Sequence, residues 1–293
     1  MRFAIYSRHL KPKDLPTTRA FFQLMEDMGI ELTIFKIYHE ALKKHIHFKR
    51  PIELFETHED LKTANADFMI TLGGDGTILD TPILIRDLDL PLAGLNLGRL
   101  GFLANIEKIK MREAVEAIVN GAFTVEKRSL LQLECNLPIF EGNNYALNDC
   151  TIVKRDTSSM IIVHTYINGE YLNSYWADGL IIATPTGSTG YSLSCGGPII
   201  FPNSNNFIIT PVAPHNLNIR PVVISDDAVV SFQIEGRANN FLCTLDSRFE
   251  TVTSDYIIAV RKADFKFKLI RLHNSNFHAN IRGKLLWGLD KRN

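Results

Sequence analysis

The sequence predicts an α/β fold followed by an all-β one. Three observations carry that reading. Strand and helix patterns alternate through the first hundred residues. After Gly121 the pattern changes to closely spaced strands. And each part holds one loop poor in bulky side chains at the end of an apolar run, Gly73-Gly74-Asp75-Gly76-Thr77 in the first and Asp178 to Pro198 in the second.

In the first part, Phe3 to Tyr6 reads as a strand. Phe21, Leu24, Met25 and Met28 fall at i, i+3, i+4 and i+7 and share one face of a helix. Pro16 with Thr17 or Thr18 marks its start and Gly29 its end. Leu32 to Ile37 gives a second strand, and His39 to His47 a short polar helix. The strand Asp67 to Leu72 precedes the glycine loop, and Leu90 to Leu97 is another. Alternation of this kind implies a mainly parallel sheet covered on both faces, and ligands bind such sheets beyond the carboxyl ends of their strands. Met111, Ala114, Val115, Ile118 and Val119 form one more amphipathic helix, stopped by Gly121.

In the second part, Ser159 to Ile167 and Glu170 to Trp176 flank Asn168-Gly169, the strongest short hairpin signal in the chain. Leu180 to Ala183, Val229 to Glu235, Phe241 to Asp246, Tyr256 to Lys262 and Phe265 to Leu272 read as further strands. The boundary falls between Gly121 and Ser129. An N-terminal α/β domain is expected over residues 1–125 and a C-terminal, sandwich-like β-rich domain over residues 126–273.

Composition narrows the function. The chain has 293 residues, 45% hydrophobic and 22% charged, with 32 Lys and Arg against 32 Asp and Glu. A formal charge of zero gives no global field toward nucleic acid or an anionic membrane. The first residues are not a signal peptide, and no apolar run is long enough to span a bilayer. Cys135, Cys150, Cys195 and Cys243 are scattered without a C-x-x-C pair, which fits free thiols in a reducing cytoplasm.

The glycine loop points to phosphoryl chemistry. Gly73 and Gly74 let a ligand approach the backbone, and a helix starting near Thr77 would aim free N–H groups at a phosphate. Gly73, Gly74, Gly76 and Thr77 then form a phosphate floor, with Asp75 as its one strong proton acceptor. Asp-Gly is also a hairpin signal. However, Ile78 to Arg86 does not alternate like a returning strand, and Pro82 suits the first turn of a helix. In the second loop, backbone N–H groups and the Ser and Thr hydroxyls offer donors to phosphate oxygens, and Tyr191 offers a ring face or hydroxyl to a base or ribose.

Other motifs fail. No lysine follows these glycines as a Walker A loop needs, and Gly94, Gly98 and Gly101 lack G-x-G-x-x-G spacing. His39-Glu40-Ala41-Leu42-Lys43 lacks the second histidine of a zinc helix. Gly187-Ser188-Thr189-Gly190 is not a nucleophile elbow. No side-chain metal site is read.

These residues resemble the NAD kinases (ATP-NAD kinases) of bacterial type. The matching blocks are Gly73 to Thr77, Asn96 to Leu103, Leu147-Asn148-Asp149, Asp178 to Pro198, and Pro214-His215 with Arg220-Pro221. The resemblance implies transfer of the γ-phosphoryl group of ATP to the 2′-hydroxyl of the adenosine ribose of NAD, a phosphotransferase reaction with an alcohol acceptor. It implies Asp75 as proton acceptor. It implies NAD contacts from Asp75, Gly76, Asn148, Asp149, Asp178, Thr189, Gly190, Tyr191, Ser192, Leu193 and Ser194. It also implies a divalent metal, usually magnesium, used with ATP, and assembly as homodimers or homotetramers in the cytoplasm. A C-terminal segment, about residues 274–293, is expected to return to the first domain. The chain departs from common family residues at Asp80, Trp176 and Arg248. A lipid or sugar kinase of the wider GGDG group is the alternative enzyme, and a non-catalytic NAD sensor the alternative binding protein.

Overall fold

The computed structural model of the protein describes residues 1–98, 100–155, 159–237, 239–272 and 277–285. Arg99, residues 273–276 and residues 286–293, which enter the sequence reading, lie outside the described residues. The chain divides into two units, Met1–Glu126 with Lys268–Asn293, and Lys127–Phe267.

The first unit begins β1 (Arg2–Tyr6), α1 (Leu15–Asp27), β2 (Glu31–Phe35), α2 (Lys36–Leu42), β3 (Glu53–Phe55), α3 (His58–Ala64), β4 (Phe68–Gly73), α4 (Asp75–Leu79), α5 (Pro82–Ile85), β5 (Leu92–Asn96), β6 (Ile106–Glu107), α6 (Met111–Val119) and β7 (Thr124–Arg128). The second holds β8 (Leu131–Cys135), β9 (Tyr145–Ala146), β10 (Asp149–Lys154), β11 (Ile161–Ile167), β12 (Glu170–Ala177), β13 (Gly179–Ala183), α7 (Tyr191–Ser194), β14 (Asn206–Val212), β15 (Val222–Ser225), β16 (Val230–Glu235), β17 (Phe241–Leu245), β18 (Arg248–Val252) and β19 (Ile258–Lys262). The chain closes with β20 (Phe267–Arg271) and α8 (Phe277–Leu285).

The first sheet has the order β3-β2-β1-β4-β5-β20-β7, with β6 paired to β5. β1 to β5 are parallel neighbours, so every β-to-β passage among them crosses over through other chain, as a parallel pair requires. Parallel strands covered on both faces are apolar along their whole length, and β4 and β5 are buried nearly throughout. α1 turns Phe21, Phe22, Leu24 and Met25 onto this sheet, and α6 adds Ala114, Val115 and Ile118 to the same core. Gly29 and Gly121 end these helices with φ of +66° and +71°, the left-handed region that favours glycine.

Two differences from the sequence reading have clear causes. The second helix spans Lys36–Leu42 rather than His39 to His47, because Tyr38 and Leu42, four apart, are the residues buried in the core. The strand read over Phe265 to Leu272 does not extend the β-rich part. As Phe267–Arg271 it lies between β5 and β7, with Leu269 opposite Leu92 in parallel.

The second unit is two six-stranded sheets, β15-β14-β13-β10-β17-β18 and β12-β11-β16-β19-β8-β9. Inward side chains of both, among them Leu131, Ile152, Val163, Phe207, Phe232 and Phe241, form one core. Side chains of this size each contribute about 1.5–3 kcal/mol when fully buried. The β11–β12 hairpin turns at Asn168-Gly169 with φ of +52° and +85°, and Ile167 faces Glu170. Among the described residues no helix is long and apolar enough to cross a membrane.

Candidate active site

In the first unit, β4 delivers the chain to Gly73 and α4 begins two residues later. Gly74 is its extended N-cap, with φ −107° and ψ −167°, and Asp75 its first residue. Asp75-Gly76 is thus helix, not hairpin, and Pro82 sits in the first turn of α5.

The Asp75 carboxylate accepts three backbone N–H bonds. Phe102 donates to Oδ2 at 2.7 Å, and Leu103 and Ala104 donate to Oδ1 at 3.1 and 2.8 Å. A carboxylate has about four acceptor positions, so one remains open, on Oδ2. The donor loop is fixed by Asn96, buried at the end of β5. Its Oδ1 accepts from the Gly98 N–H at 2.7 Å and its Nδ2 donates to the Ala104 carbonyl at 3.2 Å. Gly101 packs on the same carboxylate without room for a Cβ, whereas Gly74 and Gly76 face open space. Gly73 is glycine because a Cβ would fall 2.1 Å from Thr77 Oγ1. The loop is therefore clear where Gly74 and Gly76 stand and closed around Asp75.

Cations gather near it. Arg271 donates to the Phe102 carbonyl at 3.3 Å and pairs with Glu126 at 2.9 Å. Lys284 Nζ stands 4.5 Å from the centre of the Phe102 ring. Burial lowers its pKa, and the Asp75 charge works against that.

In the second unit, Asn148 stands just before β10 and Asp149 opens it. Asp246 holds their backbone. It accepts N–H bonds from Leu147 (2.8 Å), Asn148 (2.7 Å) and Asp149 (3.1 Å), while its own N–H donates to the Asp149 carbonyl at 3.0 Å. Asp149 is 7% exposed, and its carboxylate accepts from the Thr151 hydroxyl at 3.3 Å. Burial, then the neighbouring Asp246 charge, push its pKa up to about 7. Burial also raises Asp246, to about 6, against the pull of its three N–H bonds and Arg248.

The loop after β13 packs on the same backbone. Thr184 donates its N–H to the Asn148 carbonyl (2.8 Å) and its hydroxyl to the Leu147 carbonyl (2.6 Å). A Cβ on Gly187 would meet the Asn148 carbonyl oxygen at 2.1 Å. Gly190 lies within 4 Å, by its missing Cβ, of Asn148 Nδ2 and Asp149 Oδ2. Asn148, Asp149 and Gly190 are thus brought together. Tyr191 is half exposed, and the charges of Asp178 and Asp149 help raise its pKa after burial. Asp178 pairs with Lys154 at 2.6 Å.

The hydroxyls of this loop differ in burial. Ser188 and Ser192 are fully buried. Ser188 bonds to the Pro185 carbonyl and the Ile200 N–H, and Ser192 to the Thr210 hydroxyl at 2.8 Å. They pin the loop. Thr189 is partly exposed, its hydroxyl on the Thr186 carbonyl at 3.3 Å, and Ser194 is exposed. Sequence reasoning missed Asp246, Lys284 and the donor role of the Phe102 to Ala104 backbone. Only the glycine spacing around Phe102 signalled the last of these.

Comparison with known proteins decides the family. The ATP-NAD kinase N-terminal domain matches residues 4–123, and the ATP-NAD kinase C-terminal domain matches residues 147–272. The NAD kinase of Cytophaga hutchinsonii is 44% identical, and that of Bacteroides fragilis 42%, each over the whole length of both chains. The chain belongs to the NAD kinase family. Among solved structures, yeast NADH kinase complexed with NADH superposes with a TM-score of 0.88 over 99% of this chain and 88% of that one, at 21% identity, and so speaks to the fold. An NAD kinase from Archaeoglobus fulgidus in complex with ATP gives 0.73 over 98% and 99%, at 25% identity.

Within this NAD kinase Asp80, Arg248 and Trp176 have visible contacts. Asp80 takes both nitrogens of a fork from Arg8 and the Tyr6 hydroxyl at 3.2 Å. Since Tyr6 faces Thr71 in parallel, and Ser7 Oγ donates to the Leu72 carbonyl at 2.6 Å, Arg8 stands level with the glycine loop. Arg248 donates to the Asn143 and Tyr145 carbonyls and lies 5.6 Å over the Phe140 ring. Trp176 is 52% exposed and its carbonyl accepts the His215 N–H at 2.8 Å.

Proposed function

We propose that in this NAD kinase Asp75 orients the 2′-hydroxyl of the adenosine ribose of NAD and accepts its proton as the γ-phosphoryl group of ATP is transferred. The observation that carries the reading is the Asp75 carboxylate itself: three N–H bonds fix it, and one acceptor position on Oδ2 stays open. The 2′-oxygen forms a bond to the γ-phosphorus, the bond to the β–γ bridging oxygen breaks, ADP leaves, and the proton goes to Asp75. A carboxylate is too weak a base to remove that proton beforehand, so transfer is late, in keeping with a loose phosphoryl-transfer transition state.

Gly73, Gly74, Gly76 and Thr77 form the phosphate floor, with room at Gly74 and Gly76 for a close ligand. Among the described residues no group of three or more His, Cys, Asp or Glu is placed to hold a metal. A divalent cation, magnesium, would come with the triphosphate and offset its charge. Asn148, Asp149, Asp178, Thr189, Gly190, Tyr191, Leu193 and Ser194 grip NAD, Ser192 acting through the packing of its loop. Met1–Glu126 with Lys268–Asn293 then form the catalytic domain and Lys127–Phe267 the NAD-binding domain of a cytoplasmic homodimer or homotetramer.

The test is Asp75→Asn assayed for NADP formation with ATP, NAD and magnesium saturating. Turnover is expected to fall by roughly 100-fold or more, with the thermal transition kept. Normal turnover would overturn the role. Parallel incubation with a sphingoid base and a fructose phosphate tests the alternative kinases, whose products should not form.

A further inference from the structure

One well-formed cavity lies away from the glycine loop. It has a volume of about 580 Å³ and lies in the first unit, walled by the amino ends of β1, β2 and β3, by α1 and by the loop from His45 to Ile52. The glycine loop stands at the carboxyl end of β4, which is parallel to β1. The two places are thus at opposite ends of one sheet, a five-residue strand of about 17 Å apart.

Its lining has two characters. Phe22 and Ile30 are buried, and Leu32, Ile46, Phe48 and Ile52 pack partly exposed against the same core, which gives an apolar wall. The charged lining is nearly balanced by itself. Arg2 pairs with Glu31 at 3.0 Å and with Glu53 at 2.8 Å, and Lys49 with Glu26 at 3.2 Å. Two guanidiniums are left over. Arg19 donates only to the His45 carbonyl, at 3.3 Å, and Arg50 has no hydrogen bond or ion pair among the described residues. No lining carboxylate remains without a cationic partner.

A cavity of several hundred Å³ with an apolar wall and few directed polar groups is the ordinary form of a small-molecule site. We propose that this cavity is a second ligand site, separate from the kinase centre, which takes a small amphipathic organic acid. The apolar body lies on Phe22, Ile46 and Phe48, and the anionic head is held by Arg19 and Arg50. The head group follows from charge: two planar forks without a counterion match a carboxylate or sulfonate. The body follows from size, since the volume suits a fused aromatic pair or a medium acyl chain and exceeds what a bare inorganic anion would fill.

The experiment uses the full chain with ATP and NAD saturating, so that the kinase centre is blocked. 1-Anilinonaphthalene-8-sulfonate is titrated by fluorescence, dodecanoate is used as competitor, and the uncharged N-phenyl-1-naphthylamine is run in parallel. One sulfonate per chain is expected, displaced by dodecanoate. The Arg19→Gln/Arg50→Gln variant should bind the sulfonate roughly ten-fold more weakly, with the neutral probe unaffected. Both residues are exposed, and a melting temperature equal to wild type checks that the fold is kept. Unchanged sulfonate affinity, failure of dodecanoate to compete, or an equal loss for the neutral probe would each overturn the assignment. The readout is binding alone, so its failure leaves the kinase reading untouched.

Discussion

Gly101 and Asp75 are in such close contact that a Cβ on residue 101 would lie 1.6 Å from Asp75 Oδ1 and 2.3 Å from its carboxyl carbon. The glycine is buried, and its chain neighbours from Phe102 onward donate to that same carboxylate. No rotation of Asp75 relieves the clash without breaking these bonds.

Gly101→Ala is therefore expected to act as a displacement of Asp75. A shift of about 1 Å at a reacting group costs about 100-fold in rate, and overpacking costs about 1–3 kcal/mol of stability. Steady-state kinetics should show kcat reduced with KM for NAD little changed. A parallel rise in KM would mean that the loop serves binding rather than the carboxylate.

Ser192→Ala separates packing from ligand contact. The Ser192 hydroxyl is buried against Thr210, so its loss removes an internal hydrogen bond worth about 1 kcal/mol. The melting temperature should drop, and KM for NAD should rise less than two- to three-fold. A rise of roughly ten-fold at unchanged melting temperature would restore Ser192 as a direct contact.

The sequence exposed most of the strands because parallel and antiparallel burial write different patterns, continuous in β4 and β5 and alternating in β16 and β17. It hid β3 and α3. β3 is three residues long, too short for any period. α3 did carry a sign, the capping box in which Thr57 accepts from the Asp60 N–H at 3.2 Å and Asp60 accepts from the Thr57 N–H at 2.9 Å. It also hid the place of β20, since the alternation of Phe267 and Leu269 with lysines speaks for a strand but not for its sheet. At the site, Asp75 was legible because glycines isolate it. Asp246 was not, because its work is on the backbone of residues about a hundred positions away, and no local spacing encodes that.

Asp149→Asn tests the buried acid pair through pH. The folded pKa of Asp149 is raised to about 7 from an ordinary value near 3.8. The native state therefore binds more protons than the unfolded state across that interval, and stability falls as pH rises from about 4 to about 7. Three units correspond to at most about 4 kcal/mol. Asparagine keeps the size and can accept from Thr151 without the charge. The variant should thus melt higher than wild type at pH 8 and close to it at pH 4.5, with weaker NAD binding at both. Equal melting temperatures of the two proteins at pH 8 would show that the buried charge is not costly.

Arg248 links this acid pair to the loop before it. Its guanidinium is spent on the Asn143 and Tyr145 carbonyls, yet its charge also lowers the pKa of Asp246, which burial sets at about 6. Protonating Asp246 weakens the acceptor that fixes the N–H groups of Leu147, Asn148 and Asp149, so KM for NAD should climb as pH drops through about 6. In Arg248→Gln the opposing charge is gone. The climb should begin at higher pH, and the melting temperature should fall as the two carbonyls lose their charged donor, a change of about 1–3 kcal/mol. Profiles of KM against pH for the two proteins that overlay after scaling would refute the electrostatic link and leave Arg248 only its role in holding residues 143 to 145.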